Sequence, residues 1–117
     1  MTAGTMPVAD GELAYEVRGE GSPVVLLHGG LLTGDTWDAQ VALLERDHTV
    51  VRYDARGHGR SSTPTGPFSH HEDLRQLLAG LDIPLASLVG LSQGARTSID
   101  FAITFPDLVD RLVLVGP

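Results

Sequence analysis

Four short, mainly apolar runs separated by stretches with helical periodicity constrain the fold of this sequence more than any other feature. The runs are Val24–Leu27, Thr49–Tyr53, Ser87–Leu91 and Leu112–Val115. Apolar runs of this length, bounded by turn residues, are typical of strands buried on both faces. Because strands that alternate with helices form βαβ crossovers, the pattern predicts an α/β fold with a mostly parallel sheet and flanking helices.

Three segments between these runs predict the covering helices. Ser69 and Glu72 fit a capping box, in which Ser69 accepts from a first-turn amide and Glu72 reaches back. Leucines then follow at helical spacing: Leu74, Leu77, Leu78 and Leu81. The same spacing recurs with smaller residues before Pro106: Ala95, Ser98, Ile99 and Ala102. A shorter helix is predicted from Trp37 to about Leu44.

The N-terminus predicts an antiparallel hairpin. Met6–Val8 and Leu13–Val17 flank Asp10-Gly11, a dipeptide that readily takes the positive φ values of a tight turn. The hairpin would precede the parallel part of the sheet.

Composition limits the partners and the compartment. The 117 residues correspond to about one domain, with 8 basic and 15 acidic residues and a net charge of −7. No basic cluster could neutralise phosphates, so nucleic acid and an anionic membrane are poor candidate partners, and we expect neither. The absence of cysteine excludes disulfides, thiolate zinc sites and a cysteine nucleophile. With no signal-peptide pattern and no apolar run near the ~20 residues of a membrane span, we predict a cytoplasmic protein.

The segment Gly90-Leu91-Ser92-Gln93-Gly94 lies between a predicted strand and a predicted helix. A serine on such a tight turn is held in a strained backbone, with its hydroxyl projecting from the top of the sheet. The following helix directs its N-terminal amides to the same point, where an oxyanion would develop. The alternative is a strand-to-helix turn without chemistry.

A second glycine-rich segment, His28–Gly30, follows the first buried run at the sheet edge where α/β proteins bind ligands. Such a loop can turn a backbone N–H toward the serine, and the N–H after the serine would complete an oxyanion hole. We assign Gly30 and Gln93 as the two donors. A plain βα turn is the alternative, and His28 is interpreted as a hydrogen-bonded residue that orients the loop.

Asp54–Ser61 predicts a hydrogen-bonded turn that braces the loops around the pocket. Phosphate cradling is a poor interpretation because the segment lacks a lysine and the Walker spacing. Asp54 and Arg56 are therefore interpreted as structural. His70 and His71 lack a partner at a spacing that would suit a metal.

Taken in order, VVLLHGG (24–30), YDARGHGRS (53–61) and GLSQGAR (90–96) resemble the N-terminal half of an α/β-hydrolase-fold protein of the esterase, lipase and haloperoxidase type. The resemblance implies that Ser92 is the nucleophile and that the N–H groups of Gly30 and Gln93 form the oxyanion hole. The implied reaction is transfer of an acyl group from a small-molecule substrate through a serine ester, with no metal or organic cofactor. Serine at position 92 argues against the dehalogenase and epoxide-hydrolase branches.

The family's triad runs in the order serine, acid, histidine, and no residue after Ser92 matches its acid or its histidine. Residues 1–117 therefore correspond to the N-terminal portion of a single α/β-hydrolase domain, without the cap and the C-terminal strands. If the sheet ends at Leu112–Val115, its apolar open edge would pair with another chain, either in a homodimer or with a complementing polypeptide.

Two functions remain open. The first is the nucleophile-bearing part of a serine hydrolase acting on an ester or related acyl bond. The second is a non-catalytic, hydrolase-like half that binds a small ligand or a partner chain without turnover. Four histidines are candidates for a recruited base, but nothing in their spacing directs one at Ser92: His28, His58, His70 and His71.

Overall fold

The computed structural model describes all 117 residues, which form one six-stranded sheet and three α-helices. The strands are β1 (Thr2–Val8), β2 (Gly11–Arg18), β3 (Ser22–Leu27), β4 (His48–Tyr53), β5 (Ala86–Leu91) and β6 (Val109–Val115). The helices are α1 (Asp38–Leu44), α2 (His70–Gly80) and α3 (Gln93–Thr104). None of the helices has the length and apolar character that crossing a membrane requires.

The sheet is mixed, with the strand order β1-β2-β4-β3-β5-β6. The pairs β1·β2 and β2·β4 are antiparallel, whereas β4, β3, β5 and β6 run parallel to their neighbours. Asp10 has φ 61° in the turn between β1 and β2. The predicted α/β class, the N-terminal hairpin and the mostly parallel sheet are confirmed.

Alternate residues of β3 face two separate hydrophobic cores. Val25 and Leu27 belong to the larger core, which includes the α2 leucines and Phe101 of α3. Val24 and Leu26 belong to the smaller core on the opposite face of the sheet. Both cores are built on central strands, because side chains alternate between the two faces of a strand. The interpretation of β3 as a strand buried on both faces is confirmed.

β6 is not buried, and the expectation that it would be is wrong. Its apolar side chains retain substantial exposure: 38% for Leu112, 52% for Val113, 38% for Leu114 and 46% for Val115. β6 pairs only with β5 and forms the edge of the sheet. The apolar run therefore marks the strand correctly, but although α3 contacts β6, the apolar side chains of β6 stay 38–52% exposed.

The predicted capping box at the start of α2 is also wrong. Ser69 occupies the N-cap position with an extended backbone, but its side chain makes no capping hydrogen bond. The Glu72 carboxylate instead accepts from Arg75 Nε at 2.9 Å and from Gln76 Nε2 at 3.3 Å. Arg75, one turn further along the helix, therefore binds the carboxylate that would have to reach back in a capping box.

Candidate active site

Ser92 lies at the junction between β5 and α3, in a backbone conformation that is rare for any residue except glycine. Its φ is 53° and its ψ is −108°, and its side chain is exposed. Its N–H donates to Val115 O at 2.8 Å, and its carbonyl accepts from Ala95 N and Arg96 N at 3.0 and 3.1 Å. These backbone bonds fix the turn, while the hydroxyl caps no helix amide. The sharp turn therefore presents the hydroxyl to solvent.

The glycines on either side of Ser92 are required because backbone atoms approach them closely. A Cβ on Gly90 would lie 2.4 Å from Gly94 O, and a Cβ on Gly94 would lie 2.2 Å from Leu27 O. Real Cβ atoms do not tolerate such distances. The two glycines therefore allow α3 to start directly against the end of β3.

The loop after β3 lies against this turn. A Cβ on Gly29 would lie 3.6 Å from Ser92 Cβ, and a Cβ on Gly30 would lie 3.1 Å from Gln93 Oε1. The N–H of Gly30 donates to no backbone carbonyl. The N–H of Gln93 is the first amide of α3, so the helix supplies it with no carbonyl partner. The structure thus brings the three residues singled out from the sequence into one place.

His28 is buried directly beneath this loop and is fully engaged in hydrogen bonds. Its Nδ1 lies 2.7 Å from Gly29 O, and its Nε2 accepts from Ala55 N at 2.9 Å. Burial lowers the pKa of His28, and the neighbouring His58 lowers it further. The side chain therefore connects the loop after β3 with the loop after β4, as expected for a structural histidine.

The loop after β4 is organised around Asp54. One carboxylate oxygen accepts from Gly34 N at 2.8 Å and the other from Arg60 N at 3.0 Å. Ser61 Oγ donates to the Asp54 carbonyl and accepts from Ala14 N at 2.9 Å. These bonds join the loop after β4 to the β3–α1 loop and to β2. Asp54 thus has the structural function that the sequence predicts.

Arg56 forms a buried ion pair that the sequence did not reveal. Its Nε and Nη2 donate to the two carboxylate oxygens of Asp73 in α2, at 2.8 and 2.7 Å. Its Nη2 also donates to Ala9 O at 2.7 Å, and its guanidinium carbon lies 5.1 Å from the centre of the Phe68 ring. The sequence feature that could have indicated this ion pair is Asp73, an acidic residue next to Leu74 on the buried side of a predicted helix. Its partner could not be identified, because Arg56 lies 17 residues away along the chain.

The five histidines do not supply an evident base for Ser92. Both ring nitrogens of His28 are engaged, and His58 Nδ1 lies 3.1 Å from Arg56 O. His70 packs edge-on against Phe68, and His71 lies near Phe105. His48 lies at the start of β4, paired with Asp47. The structure therefore brings together a serine and two amides without a histidine hydrogen-bonded to the hydroxyl.

Comparisons with known proteins agree with the fold. A sequence model of the alpha/beta hydrolase fold matches residues 22–117. The chain is 34% identical over 117 residues to 3-oxoadipate enol-lactonase 2 of Acinetobacter baylyi, covering 96% of this chain and 44% of that protein. It is 35% identical over 117 residues to a serine hydrolase-like protein of Danio rerio, covering 94% and 36%.

Among solved structures, a hydrolase from Pseudomonas aeruginosa superposes with a TM-score of 0.91 at 36% identity. The match covers 96% of this chain and 44% of that one. This chain therefore spans less than half the length of the relatives it matches.

Proposed function

Because this chain belongs to the α/β-hydrolase fold family, we propose that it is the nucleophile-bearing part of a serine hydrolase that acts on an ester or a related acyl bond. The observation that carries the proposal is the conformation of Ser92, which combines a positive φ, an exposed side chain and a position at the start of α3. Backbone strain of this kind persists where the surrounding structure enforces it, and such sites are often functional.

In the proposed reaction, Ser92 Oγ attacks the carbonyl carbon of a small acyl substrate. The negative charge that develops on the carbonyl oxygen is stabilised by the N–H groups of Gly30 and Gln93, which have no carbonyl partner supplied by their own loop or helix. Collapse of the tetrahedral intermediate expels the alcohol and leaves an acyl-serine, which water then hydrolyses. One oxyanion donor is typically worth a factor of about 10²–10³ in rate.

A base must accept the proton of Ser92, and we propose that it lies outside residues 1–117. His28, the histidine beneath the glycine-rich loop, already uses one ring nitrogen to donate and the other to accept. The proposal accordingly treats residues 1–117 as the N-terminal portion of one α/β-hydrolase domain. The acid and the histidine would come from a further segment or a complementing polypeptide.

The substrate class rests on chemistry and on the relatives. A serine nucleophile beside two unpartnered amides suits a carbonyl with an alcohol leaving group, and a relative is named as an enol-lactonase, an enzyme for a cyclic ester. We therefore propose esters and lactones as the first compounds to test. The cytoplasmic location stays a prediction that cell fractionation would test.

The proposal is tested by hydrolysis of a short-chain p-nitrophenyl ester, comparing the 117-residue chain with its Ser92→Ala variant. Catalysis that survives the loss of a triad member comes from the oxyanion hole and binding, is about 10³–10⁴-fold over water, and does not depend on the serine. A rate that disappears in Ser92→Ala would therefore support Ser92 as the nucleophile and would show that this chain, or a second copy of it, supplies the base. Ser69→Ala, which removes a hydroxyl that makes no capping bond, is the matched control and keeps the rate.

Equal rates in the wild type and in Ser92→Ala would show that this chain alone does not turn the ester over through Ser92, so that the acid and the base have to be sought in a further segment or a complementing polypeptide. They would equally fit the second candidate, a non-catalytic half that binds a small ligand or a partner chain. The observation in favour of that candidate is the exposed apolar strand β6, which offers an edge to a second copy or to a complementing polypeptide.

A further inference from the structure

We propose that His28 is a positioning residue that fixes the orientation of the Gly29–Gly30 peptide, and that protonation of its Nε2 breaks the bond from Ala55 N and uncouples this peptide from the loop after β4. The inference rests on the proposed function, because the proposed function makes the Gly30 N–H an oxyanion donor. It adds a residue that acts through the oxyanion donor without contacting the substrate.

The two hydrogen bonds of His28 specify one tautomer. Gly29 O can only accept, so the Nδ1 that lies 2.7 Å from it must carry a proton. Ala55 N–H can only donate, so the Nε2 that lies 2.9 Å from it must be unprotonated. Only the neutral ring with hydrogen on Nδ1 satisfies both partners. A proton on Nε2 would place two donors face to face.

The bond to Gly29 O determines where the next amide points. Gly29 O also accepts from Leu32 N at 3.2 Å, so two donors hold this carbonyl on one side of the loop. The chain has no cis peptide bond, and in a trans peptide the N–H points opposite to the carbonyl of the same unit. Holding Gly29 O toward His28 therefore directs the Gly30 N–H away from His28. Without this bond, only the longer bond from Leu32 N would hold the Gly29–Gly30 peptide.

The bond from Ala55 holds the His28 ring itself. Ala55 directly follows Asp54, whose carboxylate is bonded to two backbone amides. The ring is thus fixed by the loop after β4, and it passes that constraint to the loop after β3. Protonation would break the Ala55 bond, whereas the Nδ1–H of the charged ring would keep its bond to Gly29 O, so the ring and the Gly29–Gly30 peptide would lose their link to the loop after β4.

The surroundings of His28 oppose protonation near neutral pH. The ring is 3% exposed, and the centre of the His58 ring lies 5.1 Å from its own centre. Burial and a positive charge on His58 disfavour a charge on this ring, whereas the hydrogen bond to Gly29 O and the Asp54 carboxylate favour it, and the net effect lowers the pKa of His28. Loss of the Ala55 bond is therefore expected on acidification to pH values below the 6.5 of a free histidine side chain.

The test is a pH titration of the 117-residue chain labelled with ¹⁵N and followed by NMR. The ring nitrogens of His28 should show the neutral Nδ1–H form at pH 7.5. As the pH falls, the amide signals of Gly30 and Ala55 should shift with the same midpoint as the His28 ring, below 6.5. A ring with hydrogen on Nε2, or a Gly30 amide that does not follow the ring, would overturn the proposal.

Two substitutions separate the two bonds. His28→Asn keeps a donor near the position of Nδ1, and His28→Gln keeps an acceptor near the position of Nε2. In His28→Asn we expect the Gly30 amide to keep its wild-type chemical shift and the Ala55 amide to change. In His28→Gln we expect the Ala55 amide to keep its wild-type chemical shift and the Gly30 amide to change. His58→Asn is the matched control, because it removes the neighbouring ring and keeps the Gly30 titration.

None of these NMR signals depends on hydrolysis of an ester by the chain. A Gly30 amide that follows His28 would support this inference even where the wild type and Ser92→Ala hydrolyse the ester at equal rates, because the titration does not depend on a base for Ser92. Should the substituted chains fail to fold, the wild-type titration alone still decides the outcome.

Discussion

Ser92 is the residue at which backbone strain and proposed chemistry coincide. A non-glycine residue in a sparsely populated region of φ/ψ space costs about 1–3 kcal/mol, and Ser92 has φ 53° and ψ −108°. We therefore expect Ser92→Gly to be more stable than Ser92→Ala by about 1 kcal/mol, since only glycine relieves the strain. Urea unfolding of both variants measures the difference.

The matched pair is Thr5→Gly and Thr5→Ala, in the middle of β1, where the pairing with β2 is regular. Glycine in a strand with ordinary dihedral angles is less stable than alanine by roughly 0.5–1 kcal/mol, so the order there should be reversed. The same order at both positions would show that Ser92 is not strained.

At the scale of single residues, the features that could be predicted from the sequence are those that depend on residues nearby along the chain. The turn at Ser92 was predictable because Gly90 and Gly94 are separated from it by one residue each, and the turn needs both. The ion pair of Arg56 with Asp73 was not predictable, because it depends on where α2 lies in space. Nor could the sequence show that both nitrogens of His28 are occupied.

The Arg56–Asp73 pair joins three elements of the fold, namely the loop after β4, helix α2 and the β1–β2 turn. Both side chains are at most 5% exposed. Removing one partner of a buried pair leaves a charge without compensation, so Asp73→Ala should lower the free energy of unfolding by about 3–5 kcal/mol. Thermal or urea unfolding checks this value.

Glu72→Ala is the control for this prediction, because Glu72 pairs with Arg75 on the surface of the same helix. Exposed pairs contribute about 0–1 kcal/mol, so this variant should stay near the wild type. Similar losses in both variants would mean that the Arg56–Asp73 pair does not join the elements as described.

The elements were predicted well wherever hydrophobic periodicity marks them. Helix α2 was predictable because Leu74, Leu77 and Leu78 recur on one face, and all three are buried. The buried face of α3 differs in part, since Phe101 is fully buried while Ile99 is only half-buried. Packing of α3 against α2 as well as the sheet determines that face, and this arrangement is not encoded in local spacing.

For the whole molecule, buried neutral histidines make stability depend on pH. Burial lowers the pKa of His28 and of His70 in the folded chain. Between pH 7.5 and 5.5 the unfolded chain therefore binds more protons than the folded chain, so the free energy of unfolding falls on acidification. Each histidine contributes a slope of at most about 1.4 kcal/mol per pH unit.

This fall should begin near the 6.5 of a free histidine and level off once the pH drops through the folded-state values. Urea unfolding at a series of pH values measures the slope. His28→Gln, which cannot be protonated, should flatten it. A slope that is unchanged in His28→Gln would show that His28 does not titrate differently in the two states.

The assembly of the whole molecule depends on β6, where the prediction of burial failed. One edge of β6 has no strand partner, and its apolar side chains are exposed by 38–52%. Unpaired N–H and C=O groups beside apolar side chains are a template for pairing with a second chain. We therefore expect the 117-residue chain to self-associate with increasing concentration, as measured by sedimentation velocity. Val113→Lys should shift it toward the monomer, because an edge lysine opposes strand pairing.

The variant Leu43→Lys distinguishes pairing through the β6 edge from non-specific hydrophobic association. Leu43 is 63% exposed on α1, which packs on β4 and lies away from the sheet edge formed by β6. This variant also replaces an exposed apolar side chain with a lysine, so it should self-associate like the wild type. Equal effects of the two lysines would indicate non-specific association, and a wild type that is monomeric at every concentration would contradict pairing through β6. Pairing that only Val113→Lys disrupts would identify the β6 edge as the surface that a second chain covers.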